Sequence, residues 1–130
     1  MQSSQFNGAL KICGHFEWLK KCLTEGISVP VSVEVDPTNR CNYRCSNCVW
    51  DDYRCNNAQL DQDEMVRLIR ECKEVGIKAI VFSGGGEPLL HPFISQGVKL
   101  AKELGLNIGF FTNALLLKDE IAEVLAESCD

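Results

Sequence analysis

The sequence predicts an α/β fold in which parallel strands alternate with helices. From Val31 onward, short apolar segments of strand type alternate with longer segments whose apolar residues recur every three to four positions. This order is typical of parallel strands joined by right-handed crossovers. The residues with the most reactive side chains follow the strands, at the sheet end where such folds bind their ligands.

The first predicted element is an amphipathic helix from about Ala9 to Glu25. Its apolar residues recur at steps of four, three and four, and Gly26 follows where glycine commonly ends a helix. These apolar residues are Ile12, Phe16, Leu19 and Leu23. We predict a helical extension over residues 1–30 and one α/β domain over residues 31–130.

The first strand and helix of that domain enclose a cysteine-rich segment. Val31–Val35 alternates apolar and polar residues, which predicts a strand with one apolar face. Residues 36–58, named here the cysteine loop, separate it from a helix over about residues 61–75. Asp61 and Glu64 have the spacing of a capping box at the start of that helix.

Two further strand and helix pairs complete the predicted domain. Ala79–Phe82 is a continuous apolar run, which predicts a strand buried on both faces. Residues 83–88, Ser-Gly-Gly-Gly-Glu-Pro, follow it and are named here the glycine loop. A helix over about residues 92–105 then leads to a third strand over 106–111, closed by Thr112-Asn113, the rim segment. A last helix is predicted from about Lys118 to Asp130.

Composition and charge narrow the class of protein. The formal net charge is -5 and the pI is about 5.0, which argues against a nucleic-acid-binding surface of clustered Lys and Arg. No apolar run approaches the ~20 residues that span a bilayer, and the first residues do not resemble a signal peptide. We therefore expect a cytoplasmic protein with no membrane partner.

Four of the eight cysteines fall between Cys41 and Cys55, which favours a metal or cluster site in a reducing compartment.

The cysteine spacing allows two kinds of metal site. Cys41, Cys45 and Cys48 are separated by three and two residues, so one loop can present three thiolates. Three cysteine ligands leave one iron of a 4Fe–4S cluster without a protein ligand, and such an open position is typical of catalytic metal sites. If Cys55 is a fourth ligand, the site is closed, as in a structural zinc site or an electron-transfer cluster.

The glycine loop predicts a ligand site of its own. Three successive glycines can adopt positive φ and bring the backbone close to a ligand. The loop lacks the pattern of a phosphate-binding loop and ends in the carboxylate of Glu87, which suits a cationic group such as an amine.

Together the two loops resemble the radical S-adenosylmethionine (SAM) superfamily. In that family C-x3-C-x2-C after the first barrel strand is followed by a G-G-E-P-type motif after the second. Here Cys41, Cys45 and Cys48 precede Gly85-Gly86-Glu87-Pro88 in the same order, and residues 36–42 are similar to the family's lead-in. The resemblance covers about residues 31–118. It implies the N-terminal half of a partial (β/α)6 barrel, and we expect a truncated core of about three units.

The resemblance also implies cofactors and an activity. Cys41, Cys45 and Cys48 would ligate a 4Fe–4S cluster whose open iron is chelated by the amine and carboxylate of SAM. The reduced cluster would cleave SAM to a 5′-deoxyadenosyl radical that abstracts a substrate hydrogen, so no catalytic residue is assigned beyond the cluster. An electron donor such as flavodoxin or ferredoxin and a small-molecule or peptide substrate are implied partners. The implied SAM-binding residues are Gly84, Gly85, Gly86, Glu87, Thr112 and Asn113.

One position departs from the family pattern. The residue before the third cysteine is usually aromatic there and packs near the adenine of SAM, whereas this sequence has Asn47. Trp50 and Tyr53 are the candidates to take its place.

Overall fold

The structure is a computed structural model that describes residues 14–26, 29–50 and 56–129. Tyr53, Cys55 and the predicted first turn of the N-terminal helix lie outside the described residues. The chain divides into two units, Met1–Val31 and Ser32–Asp130. No helix in the described ranges is both long and apolar enough to cross a bilayer.

The first unit contains helix α1, Phe16–Glu25. The helix ends as predicted at Gly26, whose φ of 68° lies in the left-handed region that glycine adopts at helix ends. Its predicted apolar face is not buried, since Phe16 is 65% and Leu23 is 79% exposed. The Trp18 indole donates a hydrogen bond to the carbonyl of Val29 within the same unit.

The second unit contains a three-stranded parallel sheet, which confirms the predicted fold class. Strands β1 (Ser32–Val35), β2 (Ala79–Phe82) and β3 (Asn107–Phe110) lie side by side in that order. The central strand β2 is fully buried on one face only, because Ile80 and Phe82 are inaccessible whereas Val81 is half-buried. Val81 pairs with Gly109 on β3, and that glycine has no side chain to cover it.

Three helices of the second unit contribute to its core. They are α2 (Gln62–Glu74), α3 (Ile94–Glu103) and α4 (Asp119–Ser128). The predicted capping box is present at the start of α2, where the Asp61 carboxylate accepts the Glu64 N–H and the Glu64 carboxylate accepts the Asp61 N–H. The buried helix residues that pack with the sheet in one apolar core are Met65, Ile69, Cys72, Ile94, Val98, Ala101, Val124 and Leu125.

Two predicted helix boundaries are wrong. The helix predicted from Pro92 begins at Ile94, and a short 3₁₀ turn at Pro88–Leu90 precedes it. His91 separates the two elements because its backbone is extended, with ψ of 126°. The last helix ends at Ser128 instead of continuing to Asp130, because Cys129 is also extended, with φ of -85° and ψ of 144°.

Candidate functional site

The cysteine loop, the glycine loop and the rim segment leave the sheet at the same end. Ladder hydrogen bonds continue past the strands there, from the Ser83 N–H to the Val35 carbonyl at 3.0 Å and from the Phe111 N–H to the Phe82 carbonyl at 2.9 Å. The three segments therefore begin side by side, at the carboxyl ends of three adjacent parallel strands. Ligands bind at this end in α/β folds.

The cysteine loop is closed at its base by a short antiparallel pairing. The Asn39 N–H donates to the Ala58 carbonyl at 2.7 Å, and the Leu60 N–H donates to the Pro37 carbonyl at 3.0 Å. Thr38, between these contacts, is 1% exposed. The loop therefore leaves and returns at one place beside β1, so its cysteines project from a closed base.

The three predicted ligand cysteines are free thiols on this loop. Cys41 and Cys48 are half-buried and Cys45 is exposed. The Tyr43 N–H lies 3.4 Å from the Cys41 sulfur, within reach of the weak hydrogen bond that sulfur accepts.

Within residues 14–26, 29–50 and 56–129, no three His, Cys, Asp or Glu side chains are arranged around a single metal ion. In a 4Fe–4S cluster each cysteine binds a different iron, so the ligands need not converge on one point. Three accessible free thiols at the end of a sheet fit a cluster by their donor chemistry. The closed site with Cys55 stays a prediction, because Cys55 lies outside the described part of the chain.

The glycine loop packs directly against the cysteine loop. A Cβ on Gly86 would lie 2.1 Å from the Arg40 carbonyl oxygen, and one on Gly85 would lie 2.5 Å from Asn39 Oδ1. A Cβ on Gly84 would lie 2.2 Å from the carbonyl oxygen of Gly86. None of the three glycines adopts the positive φ that glycine permits. Close packing against the backbone of Arg40 and Gly86 and the side chain of Asn39 explains the glycines here.

The carboxylate of Glu87 connects the glycine loop to the rim segment. Glu87 is 2% exposed. Its Oε1 accepts hydrogen bonds from Thr112 Oγ1 at 2.7 Å and the Leu89 N–H at 3.0 Å, while Oε2 accepts the Asn113 N–H at 2.8 Å. The Glu87 N–H also donates to the Arg40 carbonyl at 2.8 Å. A direct contact between Glu87 and SAM stays a prediction.

The rim segment in turn contacts the cysteine loop. Asn113 Nδ2 donates to Asn42 Oδ1 at 2.8 Å, although the two residues are 71 positions apart. The predicted site residues Cys41, Gly84–Glu87 and Thr112-Asn113 thus belong to three segments that hydrogen bonds and close backbone packing join. The contact of Asn42 with Asn113 could not be predicted from the sequence, because neither the residue type of Asn42 nor its distance along the chain indicates this partner.

Asp36, the first residue of the cysteine loop, is also connected to the glycine loop. Burial raises the pKa of the Asp36 carboxyl above its ordinary value, and the charge of Glu34 raises it further. A hydrogen bond from the Gly85 backbone N–H opposes both effects by stabilising the carboxylate.

His91 is a buried connection that sequence reasoning missed. It is 2% exposed, and its Nε2 lies 2.8 Å from the Leu60 carbonyl, beside the base of the cysteine loop. Its Nδ1 accepts the Phe93 N–H at 3.3 Å, so Nε2 carries the proton and donates to Leu60. The position of His91 before a proline gave no sign of this contact in the sequence.

The position predicted to contact adenine is not filled by an aromatic residue. Asn47 is exposed, Trp50 is 40% exposed, and Tyr53 lies outside the described residues. An adenine contact by either aromatic side chain stays a prediction.

Comparison with known proteins identifies the family. The radical SAM superfamily model matches residues 35–130. The chain is 36% identical over 97 residues to a GTP 3′,8-cyclase of Chlorobaculum tepidum, covering 74% of this chain and 29% of the cyclase. It is 34% identical over 91 residues to the tungsten-containing aldehyde ferredoxin oxidoreductase cofactor-modifying protein of Pyrococcus furiosus, covering 69% of this chain and 26% of that protein.

Solved structures show the same fold. The crystal structure of Streptococcus suis SuiB bound to the precursor peptide SuiA aligns with a TM-score of 0.71 at 23% identity, over 98% of this chain and 29% of SuiB. The chain thus spans between a quarter and a third of the length of these relatives. Because the family model matches nearly all of the second unit, the chain belongs to the radical SAM superfamily.

Proposed function

We propose that this chain forms the cofactor-binding part of a radical SAM enzyme. Cys41, Cys45 and Cys48 would hold a 4Fe–4S cluster, and the glycine loop with the rim segment would bind SAM beside it. The observation that carries the proposal is the junction at the carboxyl end of the sheet. There the Glu87 N–H donates to the Arg40 carbonyl, immediately before Cys41, and the Glu87 carboxylate binds Thr112 and Asn113.

The cofactors and the chain have separate tasks in this proposal. When bound by Cys41, Cys45 and Cys48, the reduced cluster would supply one electron for the cleavage of SAM into methionine and a 5′-deoxyadenosyl radical, which would abstract a hydrogen atom from the substrate. The chain's own residues bind and orient, as proteins do around cofactors generally. The glycine loop offers backbone groups to the amino acid end of SAM, and the half-buried rim segment forms the wall beside them.

The names of the relatives indicate only a broad class of substrate. A GTP 3′,8-cyclase and a PqqA peptide cyclase of Rhodopseudomonas palustris are both similar to this chain, and their names specify a nucleotide and a peptide. We accordingly propose a small molecule or a peptide as the substrate. A flavodoxin or ferredoxin would serve as the electron donor in the cytoplasm.

The cluster assignment is tested by anaerobic reconstitution of single-cysteine variants. Wild-type chain should take up about four iron atoms, the content of one 4Fe–4S cluster. Cys41→Ala, Cys45→Ala and Cys48→Ala should each lose most of that iron, because an exposed cluster with two protein ligands is easily lost. Iron and sulfide analysis with visible absorption measures the content.

Two further variants serve as controls. Cys22→Ala removes a half-buried thiol of the first unit and should keep the full iron content. Cys55→Ala should also keep it if three cysteines suffice. Loss of iron in Cys55→Ala, to the same extent as in Cys41→Ala, would instead support the closed four-cysteine site and contradict the proposal.

A further inference from the structure

We propose that Glu87, Asn113 and Asn42 form a hydrogen-bonded strut that positions Cys41 against the glycine loop. The three residues are positioning residues, because they would act on the cluster through the cysteine and not by touching it. This inference rests on the proposed function, because the strut positions a cluster ligand only if Cys41 binds a cluster.

The first member of the strut, Glu87, provides a fixed point. Its carboxylate is buried and accepts hydrogen bonds from Leu89, Thr112 and Asn113. A buried carboxylate is stable only while such donors surround it, so these hydrogen bonds hold the Glu87 carboxylate in a fixed position relative to its donors. The Asn113 backbone is therefore held at 2.8 Å from Oε2.

The second member, Asn113, has an amide whose orientation is determined by its neighbours. Its Oδ1 accepts the Leu115 N–H at 3.0 Å, so the opposite side of the amide must be the Nδ2 donor. That donor lies 2.8 Å from Asn42 Oδ1. Asn42 therefore acts as an acceptor in this contact, and the direction of the hydrogen bond is known.

The third member, Asn42, directly follows the predicted cluster ligand Cys41 in the chain. Both chain neighbours of Cys41 are tied to Glu87, one directly and one through the rim segment. On one side the Arg40 carbonyl accepts the Glu87 N–H at 2.8 Å, and on the other Asn42 accepts from Asn113. Cys41 thus lies between two anchored residues, and its backbone is placed before any cofactor arrives.

Placing a ligand in advance lowers the entropic cost of binding and slows release of the bound group. The strut should therefore lengthen the time for which the chain retains its cluster. The contact is exposed to solvent, so its effect should match one net hydrogen bond. That corresponds to a factor of roughly two to ten in a rate or equilibrium constant.

The direction of the hydrogen bond allows a matched pair of isosteric variants. Asn42→Asp keeps an acceptor facing Asn113 Nδ2, so the strut survives. Asn113→Asp keeps the oxygen that accepts from Leu115 but replaces the donor with a second acceptor, so the strut breaks. Both variants add one negative charge near the cluster, and the difference between them isolates the hydrogen bond. Asn42→Ala removes the acceptor without adding charge.

The experiment measures iron release from the reconstituted full chain to a chelator under anaerobic conditions, followed by visible absorption. Asn113→Asp and Asn42→Ala should release iron roughly two to ten times faster than Asn42→Asp, the range for one hydrogen bond. Asn42→Asp should stay within about twofold of wild type. Equal release from Asn42→Asp and Asn113→Asp, with Asn42→Ala at the wild-type rate, would overturn the strut.

A second measurement on the cluster-free chain separates this proposal from the proposed function. A double-mutant cycle of chemical denaturation with Asn42→Ala and Asn113→Ala should show coupling between the two sites. If wild-type chain takes up iron but the cycle shows no coupling, the strut alone is overturned. If wild-type chain takes up no iron, the proposed function fails, and the strut's role toward a cluster fails with it.

Discussion

Replacing Glu87 with glutamine should lower the free energy of unfolding by about 2–3 kcal/mol, the cost of leaving buried hydrogen-bonding groups unpaired. The carboxylate accepts three hydrogen bonds on its two oxygens in a site that is 2% exposed. Glutamine keeps one oxygen, and its amide nitrogen then faces either the Asn113 N–H or the Thr112 hydroxyl and Leu89 N–H. Chemical denaturation monitored by circular dichroism measures the loss.

A matched variant separates this effect from the loss of one charge. Glu74→Gln makes the same chemical change at an exposed position of α2. It should change stability by less than about 0.5 kcal/mol, as surface substitutions usually do. If Glu87→Gln were as stable as Glu74→Gln and lost only affinity for SAM, Glu87 would be a ligand of SAM and not an internal anchor.

Replacing Gly86 with alanine should be at least as damaging, at about 3 kcal/mol, the upper part of the range for overpacking. The added Cβ would lie 2.1 Å from the Arg40 carbonyl oxygen and 2.6 Å from its carbonyl carbon. These are backbone atoms, which no change of side-chain rotamer can move aside. The cysteine loop would have to shift, and the 2.8 Å hydrogen bond from the Glu87 N–H to Arg40 would open.

Gly109→Ala is the control for this variant. The three atoms nearest to a Cβ on Gly109 would all belong to the side chain of Val81, the closest at 3.2 Å. That contact is tight but can relax, so the cost should stay below about 1 kcal/mol. Thermal unfolding of both variants, with iron content after reconstitution, tests the difference. Equal stability of the two would show that the glycine loop does not depend on close packing at Gly86.

The sequence predicted the strands well because each one has a simple apolar pattern. The expected strands over residues 31–35, 79–82 and 106–111 agree with the observed ones to within one residue at each end. Helix ends were predicted where a specific residue carries the signal, as at Gly26, whose φ of 68° lies in the left-handed region that favours glycine. The boundary at Pro92 failed because proline is equally suited to the turn that leads into a helix.

The candidate site could be predicted as a set of residues but not as a network. Cys41, Cys45, Cys48 and the glycine loop were found because their spacing is local in the sequence. The contact between Asn42 and Asn113 joins two segments 71 residues apart, and no periodicity or motif encodes it. The reason for the glycines was also hidden, because their close approach is to Arg40 and Asn39 in another loop.

Coordination of SAM to an open iron is tested most directly by electron paramagnetic resonance of the reconstituted and reduced full chain, recorded with and without SAM. The spectrum should show a reduced 4Fe–4S cluster whose g-values shift when SAM is added, because SAM would coordinate the iron that the three cysteines leave open. Cys22→Ala should show the same shift. A cluster signal that does not change with SAM would contradict coordination of SAM and favour a cluster whose coordination is already complete.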